Sequence, residues 1–310
     1  MNLSGDLETS PILCPACGAV YTTIHRTGAM SRKSKPAKPE LSIHLVKDEC
    51  EIYRCSKCGL LFVPYVESEK LERLYQQFYK KNGYYDEMYL KDSLRRTLTF
   101  KRWSNIIHRY KSGGRLLDVG TSFGEFLRIA GKWDGWELFG VEIDPNTAHK
   151  ARKNSGANIS VGRIENQNFP ENYFDVITAW EVIEHISDVS VCLRRLRSWL
   201  KPDGILCLST PNLNKLKNRL FRKYREDFFK PPEHLLYLNR RSLRIMMSKA
   251  GYEVLMLDAG IKSPLYVFGL YNPDIRLGWV VSALEWIIGL GQFVGIEGFQ
   301  IFAILKKIKL

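Results

Sequence analysis

Several features that would place this sequence in a specialised class of protein are missing. The most apolar stretch, residues 276–296, contains Glu285 and several glycines, so a membrane-spanning helix is not expected. Residues 1–10 lack the basic and apolar segments of a secretory signal, and we expect a cytoplasmic protein. Acidic residues are few, with 33 against 46 Lys and Arg. The net charge of +13 favours an acidic partner, which could be nucleic acid, an anionic membrane surface or a phosphorylated substrate.

The remaining composition is that of an ordinary globular protein. Hydrophobic residues make up 45% of the 310 residues and charged residues 25%, which excludes a disordered chain, a collagen-like fibre and a polytopic membrane protein. A chain of this length is sufficient for about two domains.

The cysteines indicate a metal site near the start of the chain. Seven cysteines without a secretory signal do not suggest a disulfide framework. Two C-x-x-C-G turns, with Cys14 and Cys17 in one and Cys55 and Cys58 in the other, each provide half of a tetrahedral site. We therefore predict a structural Zn²⁺ bound by four thiolates, with residues 26–40 as a loop inserted between the halves. The alternatives are a redox pair or a chance spacing.

From Arg115 onward, predicted strands and helices alternate. This alternation calls for a parallel sheet with helices on both faces, and ligands bind such sheets beyond the carboxyl ends of the strands. The predicted strands are 115–119, 136–143, 158–161, 174–179 and 205–209, and the predicted helices are 125–132, 145–155 and 189–200. The expected organisation is a zinc-ribbon module at 11–66, a helical connector or cofactor lid at 67–113, and an α/β domain at 114–310.

The turn after the first predicted strand has the spacing of a cofactor-binding loop. Asp118 ends the strand, and Gly120 and Gly124 follow it. Glu142 ends the second strand, where a carboxylate can accept both hydroxyls of a ribose. A dinucleotide site is the rival interpretation, but its G-x-G-x-x-G spacing is absent, and an aspartate is poorly placed beside a pyrophosphate. Asp118 suits a ligand with a positive ammonium and sulfonium, which is S-adenosylmethionine.

Four motifs, in order, resemble those of class I S-adenosylmethionine-dependent methyltransferases, and their pattern is most similar to the ubiquinone-biosynthesis-like methyltransferases. The resemblance implies an enzyme with a Rossmann-like, seven-stranded, mostly parallel sheet, preceded here by the small zinc ribbon. Ser122 stands where the family has its middle glycine, which we expect to tighten the loop without preventing binding. The motifs are Leu-Leu-Asp-Val-Gly at 116–120, Gly-Val-Glu-Ile-Asp at 140–144, Phe-Pro-Glu-Asn-Tyr-Phe-Asp at 169–175 and Glu-Val-Ile-Glu-His at 181–185.

The resemblance also implies roles for residues on the cofactor side. Gly120 and Gly124 give backbone room to the methionine part, Asp118 orients its ammonium group, and Glu142 binds the ribose. The plainer alternatives are ordinary turn glycines and a solvated strand end. Contacts to two further parts of the cofactor are expected: Glu165 or Asn166 would face the adenine amine, and Ala179 and Trp180 would border the sulfonium.

Two histidines are candidate general bases on the acceptor side. His185 follows the fourth predicted strand, where a neutral imidazole could remove a proton from the acceptor, or where it could cap a helix or fasten a loop. His234 is the second candidate. The Asn/Asp-Pro-Pro-aromatic signature of nucleobase amine methylation is replaced by Ala-Trp-Glu-Val at 179–182, which favours an oxygen or carbon acceptor.

The expected acceptor is a small-molecule, sugar or lipid-linked intermediate, which could be phosphorylated. The insert 211–238 mixes basic and aromatic residues and could cover the acceptor or form a solvated helix. The apolar segment 276–296 could be core, the face of a homodimer, or a peripheral contact with the inner face of an anionic membrane. Two alternative functions stay open. One is an RNA methyltransferase with a zinc module, and the other is a non-catalytic binding protein that kept the fold.

Overall fold

The computed structural model describes residues 12–20, 23–26, 51–64, 66, 71, 93–214, 231, 233–259 and 300–308. Nearly all of the predicted loop 26–40, most of the connector at 67–92, the central part of the insert (215–230) and the apolar segment 276–296 lie outside these residues. Within the described ranges, no helix is long and apolar enough to cross a membrane.

The described elements alternate as the sequence pattern predicts. The strands are β1 (Thr23–Arg26), β2 (Ile52–Arg54), β3 (Leu61–Phe62), β4 (Gly114–Val119), β5 (Trp136–Glu142), β6 (Asn158–Val161), β7 (Phe174–Trp180), β8 (Leu200–Pro211), β9 (Leu236–Tyr237), β10 (Tyr252–Asp258) and β11 (Gln300–Lys307). The α-helices are α1 (Ser93–Tyr110), α2 (Glu125–Ala130), α3 (Pro145–Ser155), α4 (Val189–Trp199) and α5 (Arg240–Lys249). Two short 3₁₀ turns, Ile164–Asn166 and Ile183–His185, follow β6 and β7.

Seven of the described strands form one sheet in the order β10-β11-β8-β7-β4-β5-β6. The five strands from β8 to β6 are parallel, whereas β11 runs antiparallel to both β8 and β10. The chain builds outward from β4 to β6 and then returns to place β7 on the other side of β4. This reversal is the switch point of the sheet, and in such folds ligands bind there, beyond the carboxyl ends of the strands.

Helices cover both faces of this sheet because successive strand residues point to opposite sides. Leu116 packs in one buried cluster with Trp103 of α1 and Phe126 of α2. Its neighbour Leu117 packs in the other cluster, which includes Leu193 of α4. The expected architecture of a mostly parallel sheet with helices on both faces is therefore confirmed.

A second, smaller sheet holds the cysteine module. Its order is β1-β2-β3-β9, and all its pairings are antiparallel. The fourth strand, Leu236–Tyr237, comes from the end of the predicted insert, about 170 residues after its partner β3. The four cysteines belong to the same buried cluster as Leu117 and Leu193. The cysteine module and the large sheet thus share one continuous core.

Candidate functional site

A loop of unusual backbone geometry connects β4 to α2. Gly120 and Gly124 have φ angles of 68° and 73°. A Cβ atom on Gly120 would lie 2.7 Å from Val182 Cγ2, and one on Gly124 would lie 2.9 Å from the carbonyl oxygen of Ala151. Both glycines are therefore needed for the backbone path itself. Their contact with a cofactor stays a prediction.

Ser122, at the middle position of the loop, is held by the carboxylate at the tip of the next strand. Its φ of 50° is left-handed, a conformation that costs an L-residue about 1–2 kcal/mol. Its amide donates to Glu142 Oε2 at 2.8 Å, and the amide of Asp144 donates to Glu142 Oε1 at 3.2 Å. Glu142 is only 3% exposed. A carboxylate oxygen has two lone pairs, so a carboxylate at this strand end has the chemistry to accept ribose hydroxyls.

Asp118 lies one strand away, buried between β4 and β7. It is 1% exposed, and Thr178 Oγ1 donates to its Oδ1 at 2.6 Å. Burial raises the pKa of Asp118 to about 7, and the hydrogen bond from Thr178 opposes this rise. A bound ammonium group would favour the ionised carboxylate and lower the pKa again.

The residues expected beside the adenine follow β6. Glu165 and Asn166 belong to the 3₁₀ turn Ile164–Asn166. The Glu165 carboxylate pairs with Arg163 at 3.3 Å, and the amide of Asn166 donates to the Arg163 carbonyl at 3.1 Å. Both residues therefore stand beyond the carboxyl end of the edge strand, where the sequence places them. Their contact with adenine stays a prediction.

The last two side chains of β7, those of Ala179 and Trp180, lie in different surroundings. Ala179 is buried in the sheet at 1% exposure. The indole of Trp180 stacks on Trp103 of α1, with ring centroids 4.5 Å apart, and lies parallel to Phe302 of β11 at 6.0 Å. The Trp180 ring thus joins α1 to the sheet, a packing role that the sequence did not predict. The proposed border with the sulfonium stays a prediction for this strand end.

The structure brings together the two candidate bases, which are far apart in the sequence. The rings of His185 and His234 meet edge to face, with centroids 4.7 Å apart. His185 Nδ1 lies 2.6 Å from the carbonyl oxygen of Glu233. A carbonyl can only accept, so Nδ1 carries the hydrogen, and Nε2 is the lone-pair nitrogen of the neutral ring. This contact fastens the loop. It also fixes the neutral ring in the tautomer whose Nε2 is the basic nitrogen.

Sequence reasoning missed two glutamates and a glutamine near the end of β7. Glu181 has a φ of 55°, and its carboxylate accepts from Ser209 Oγ at 3.2 Å and from Gln300 Nε2. Glu184 is 0% exposed, and burial followed by the nearby charge of Glu181 raises its pKa well above the ordinary value. The motif at 181–185 contains both glutamates, which was the signal available. Gln300 follows an undescribed segment, and its sequence context gives no such signal.

Among the residues that the structure describes, two groups of side chains could hold a metal ion. Donor atoms of Glu184, His185 and His234 all lie within 4.8 Å of one another. The four cysteines form the second group, in which Cys14 Sγ lies 3.6 Å from Cys58 Sγ and Cys17 Sγ lies 3.4 Å from Cys55 Sγ.

The buried cysteine cluster has the chemistry of a closed tetrahedral site. Metal–sulfur bonds of about 2.3 Å in a tetrahedron would place the sulfurs about 3.8 Å apart, close to the observed separations. The contact with Cys58 lowers the pKa of the Cys14 thiol to about 5, whereas the same contact raises the pKa of Cys58 and burial raises that of Cys17, so these sulfurs share protons while no metal is bound. The four thiols therefore fit a metal that prefers sulfur ligands.

These features together define a Rossmann-like α/β protein whose ligand crevice lies at the switch point of the sheet. Residues 94–257, which are 164 of the 310 residues, match a family model described as a methyltransferase domain. The chain belongs to this methyltransferase-domain family.

Curated relatives match part of this region. A ubiquinone biosynthesis O-methyltransferase of Actinobacillus pleuropneumoniae is 28% identical over 156 residues, which is 47% of this chain and 64% of the relative. A ubiquinone biosynthesis O-methyltransferase of Rhodopseudomonas palustris is 34% identical over 112 residues, which is 33% of this chain and 42% of the relative. The match thus spans less than two thirds of the length of either relative.

Solved structures show the same fold. A SAM-dependent methyltransferase from Archaeoglobus fulgidus superposes with a TM-score of 0.54 at 18% identity, covering 72% of this chain and 100% of that one. A SAM-dependent methyltransferase from Thermotoga maritima, described as a possible histamine N-methyltransferase, gives 0.53 at 19% identity and covers 77% and 100%. The resemblance drawn from the four motifs is confirmed.

Proposed function

We propose that this protein transfers a methyl group from S-adenosylmethionine to an oxygen or carbon of a small-molecule, sugar or lipid-linked acceptor. The observation that carries the proposal is the meeting of Asp118, the loop 120–124 and Glu142 at one edge of the sheet. The names of the curated relatives refer to O-methylation in ubiquinone biosynthesis, which supports a small-molecule acceptor with a hydroxyl group.

Each part of the site has a role in this reaction. The cofactor supplies an electrophilic methyl group on a positively charged sulfur when it is bound. Asp118 balances the ammonium charge, and Glu142 accepts hydrogen bonds from the ribose. His185 accepts the acceptor's proton at Nε2, because its Nδ1–H is committed to the carbonyl of Glu233. Most of the acceleration is expected to come from holding the acceptor in line with the breaking bond.

We also propose that the four cysteines hold one structural Zn²⁺. The support is their complete burial and their sulfur separations of 3.4 and 3.6 Å. A closed site of four thiolates leaves no open coordination position, so it takes no part in the methyl transfer.

The acceptor partner and the location of the protein are further parts of the proposal. Peripheral contact with an anionic membrane would suit a lipid-linked acceptor, and Trp279 and Trp286 of the apolar segment are suited to a lipid interface. The intact protein should co-sediment with anionic liposomes in low salt, and less so when both tryptophans become Ser. Retention in the supernatant at low salt would remove this support. The RNA and non-catalytic alternatives gain nothing from the comparisons.

The central proposal is tested first by cofactor binding and then by transfer. Calorimetry should detect binding of S-adenosylmethionine to the purified protein, and a Glu142→Ala variant should bind more weakly. Glu137→Gln, at the exposed opposite end of the same strand, is the matched control. Incubation with methyl-labelled cofactor and a metabolite extract should then give a labelled product heavier by one methylene. No binding at millimolar cofactor would contradict the proposal and favour a non-catalytic protein.

A further inference from the structure

The backbone segment 233–239, here named the linking segment, contains His234 and lies between the cysteine module and the turn that carries His185. On the module side, Phe62 and Leu61 of β3 pair with Leu236 and Tyr237 of β9. The amide of Val63 extends this ladder by donating to the carbonyl of Leu235 at 2.9 Å. Along one edge, the linking segment is therefore hydrogen-bonded into the sheet of the cysteine module.

The other edge of the linking segment is bonded to the turn that carries His185. The amide of Leu235 donates to the carbonyl of Glu184 at 2.7 Å. The carbonyl of Glu233 accepts from His185 Nδ1 at 2.6 Å, and His234 itself lies between these two contacts. The backbone of one residue, Leu235, is thus bonded to the cysteine module through its carbonyl and to the histidine turn through its amide.

The two cysteine turns also hold the helix that follows the linking segment, one at each end. Asn239 caps α5 by accepting from the amide of Ser242 at 2.9 Å, and its Nδ2 donates to the carbonyl of Gly59 at 3.2 Å. At the other end, Lys249 Nζ donates to the carbonyl of Cys17 at 2.8 Å. Each C-x-x-C turn bonds to a different end of α5. Both bonds can therefore form at once only while the two turns are held together.

The strands of the cofactor side share the buried core with the cysteine module, but within the described residues they have no comparable backbone hydrogen bonds to it. Asp118, Thr178 and Glu142 belong to β4, β7 and β5, and none of these strands pairs with a strand of the small sheet. Loss of the cysteine cluster should therefore reach the acceptor side of the site before it reaches the cofactor side.

We infer that the cysteine module is a positioning element for the histidine pair: the metal-loaded cluster holds the linking segment, which in turn sets the position of His234 and of the His185 ring. The catalytic role of the two histidines rests on the proposed function, but the coupling between their positions and the cysteine module does not. The expected signature is a kcat that depends on the module while cofactor affinity does not.

The test compares the zinc-loaded protein with a Cys55→Ser variant by NMR of the histidine rings, at one fixed pH. Signals of His185 and His234 are assigned from the His185→Gln and His234→Gln variants. In Cys55→Ser both signals should shift or broaden, whereas the signal of His149, exposed on α3, should not change. Calorimetry should give a cofactor affinity within about twofold of the original, which also shows that the large sheet is folded. The kcat should fall by roughly tenfold to a hundredfold, since a misplacement of about 1 Å can cost about 10² in rate.

Milder variants keep the test decisive if Cys55→Ser does not fold. Asn239→Asp keeps the cap acceptor but loses the Nδ2 donor, and Lys249→Met loses the Nζ donor. The double variant should shift the same histidine signals in zinc-loaded protein, and Lys249→Arg should preserve them. Unchanged histidine signals in both Cys55→Ser and the double variant would overturn the inference. Absence of cofactor binding in the zinc-loaded protein would instead contradict the proposed function, with the histidine readout still deciding this one.

Discussion

Replacing Asp118 by Asn should change how the stability of the cofactor-free protein depends on pH. Burial raises the pKa of Asp118 from its ordinary value of 3.8 to about 7. Because the folded-state pKa is the higher one, the carboxyl contributes stability that is complete below pH 3.8 and is lost as pH rises through 7. At about 1.36 kcal/mol per pKa unit, the whole difference corresponds to about 4 kcal/mol.

About half of that free energy, roughly 2 kcal/mol, is expected to be lost between pH 5.5 and pH 8. Urea unfolding of the cofactor-free protein at these two pH values measures it directly. Asp118→Asn should remove this part of the pH dependence, whereas Asp134→Asn, in an exposed loop, should keep it. An Asp118→Asn protein with the original pH dependence would show that another group is responsible.

The same substitution should weaken cofactor binding while it stabilises the empty protein at pH 8. A charge-assisted hydrogen bond contributes about 1.5–3 kcal/mol, so the Kd for S-adenosylmethionine should rise roughly tenfold to a hundredfold. In the original protein the affinity should fall as pH drops below about 7, because the ammonium group selects the ionised carboxylate. A cofactor affinity that is equal at pH 5.5 and pH 8 would refute the role given to Asp118.

Three further predictions concern the loop and the metal. Glu142→Gln should raise the Kd for the cofactor about tenfold, since one charged acceptor is lost, and Glu137→Gln should leave it unchanged; equal effects would show that the strand tip is misassigned. Gly124→Ala should lower the free energy of unfolding by at least about 1–2 kcal/mol in urea titrations, because φ is left-handed there; an unaffected midpoint would contradict the loop geometry. Elemental analysis should find about one zinc per chain, and less in Cys55→Ser; a folded, reduced, zinc-free protein would rule out the metal.

The large sheet could be predicted from sequence because its strands are continuous apolar runs between clear turns. The strand expected at 115–119 is β4, one residue longer, and the helical connector expected at 67–113 contains α1. β9 could not be predicted, because two residues carry no periodicity and its partner lies far away in the chain. The helix predicted to end at 200 ends at Trp199, because Leu200 has extended backbone and begins β8.

Part of the candidate site could also be predicted from the sequence, for a similar reason. Residues that occupy strand ends, such as Asp118 and Glu142, are placed by the order of the strands alone. His185 and His234 meet through hydrogen bonds between the turn Ile183–His185 and residues 233–235, which no local sequence pattern predicts. The positive φ of Glu181 could not be predicted either, because a glutamate rarely adopts that conformation.

The late position of β9 has a consequence for the order in which the chain is made. During synthesis, β3 leaves the ribosome long before its neighbour at 236–237, so one edge of the small sheet stays open while most of the large sheet is still being translated. Open strand edges are sites of pairing between chains. During that interval β3 has no partner on this side, and its length of only two residues limits the pairing with another chain that a longer open edge would allow.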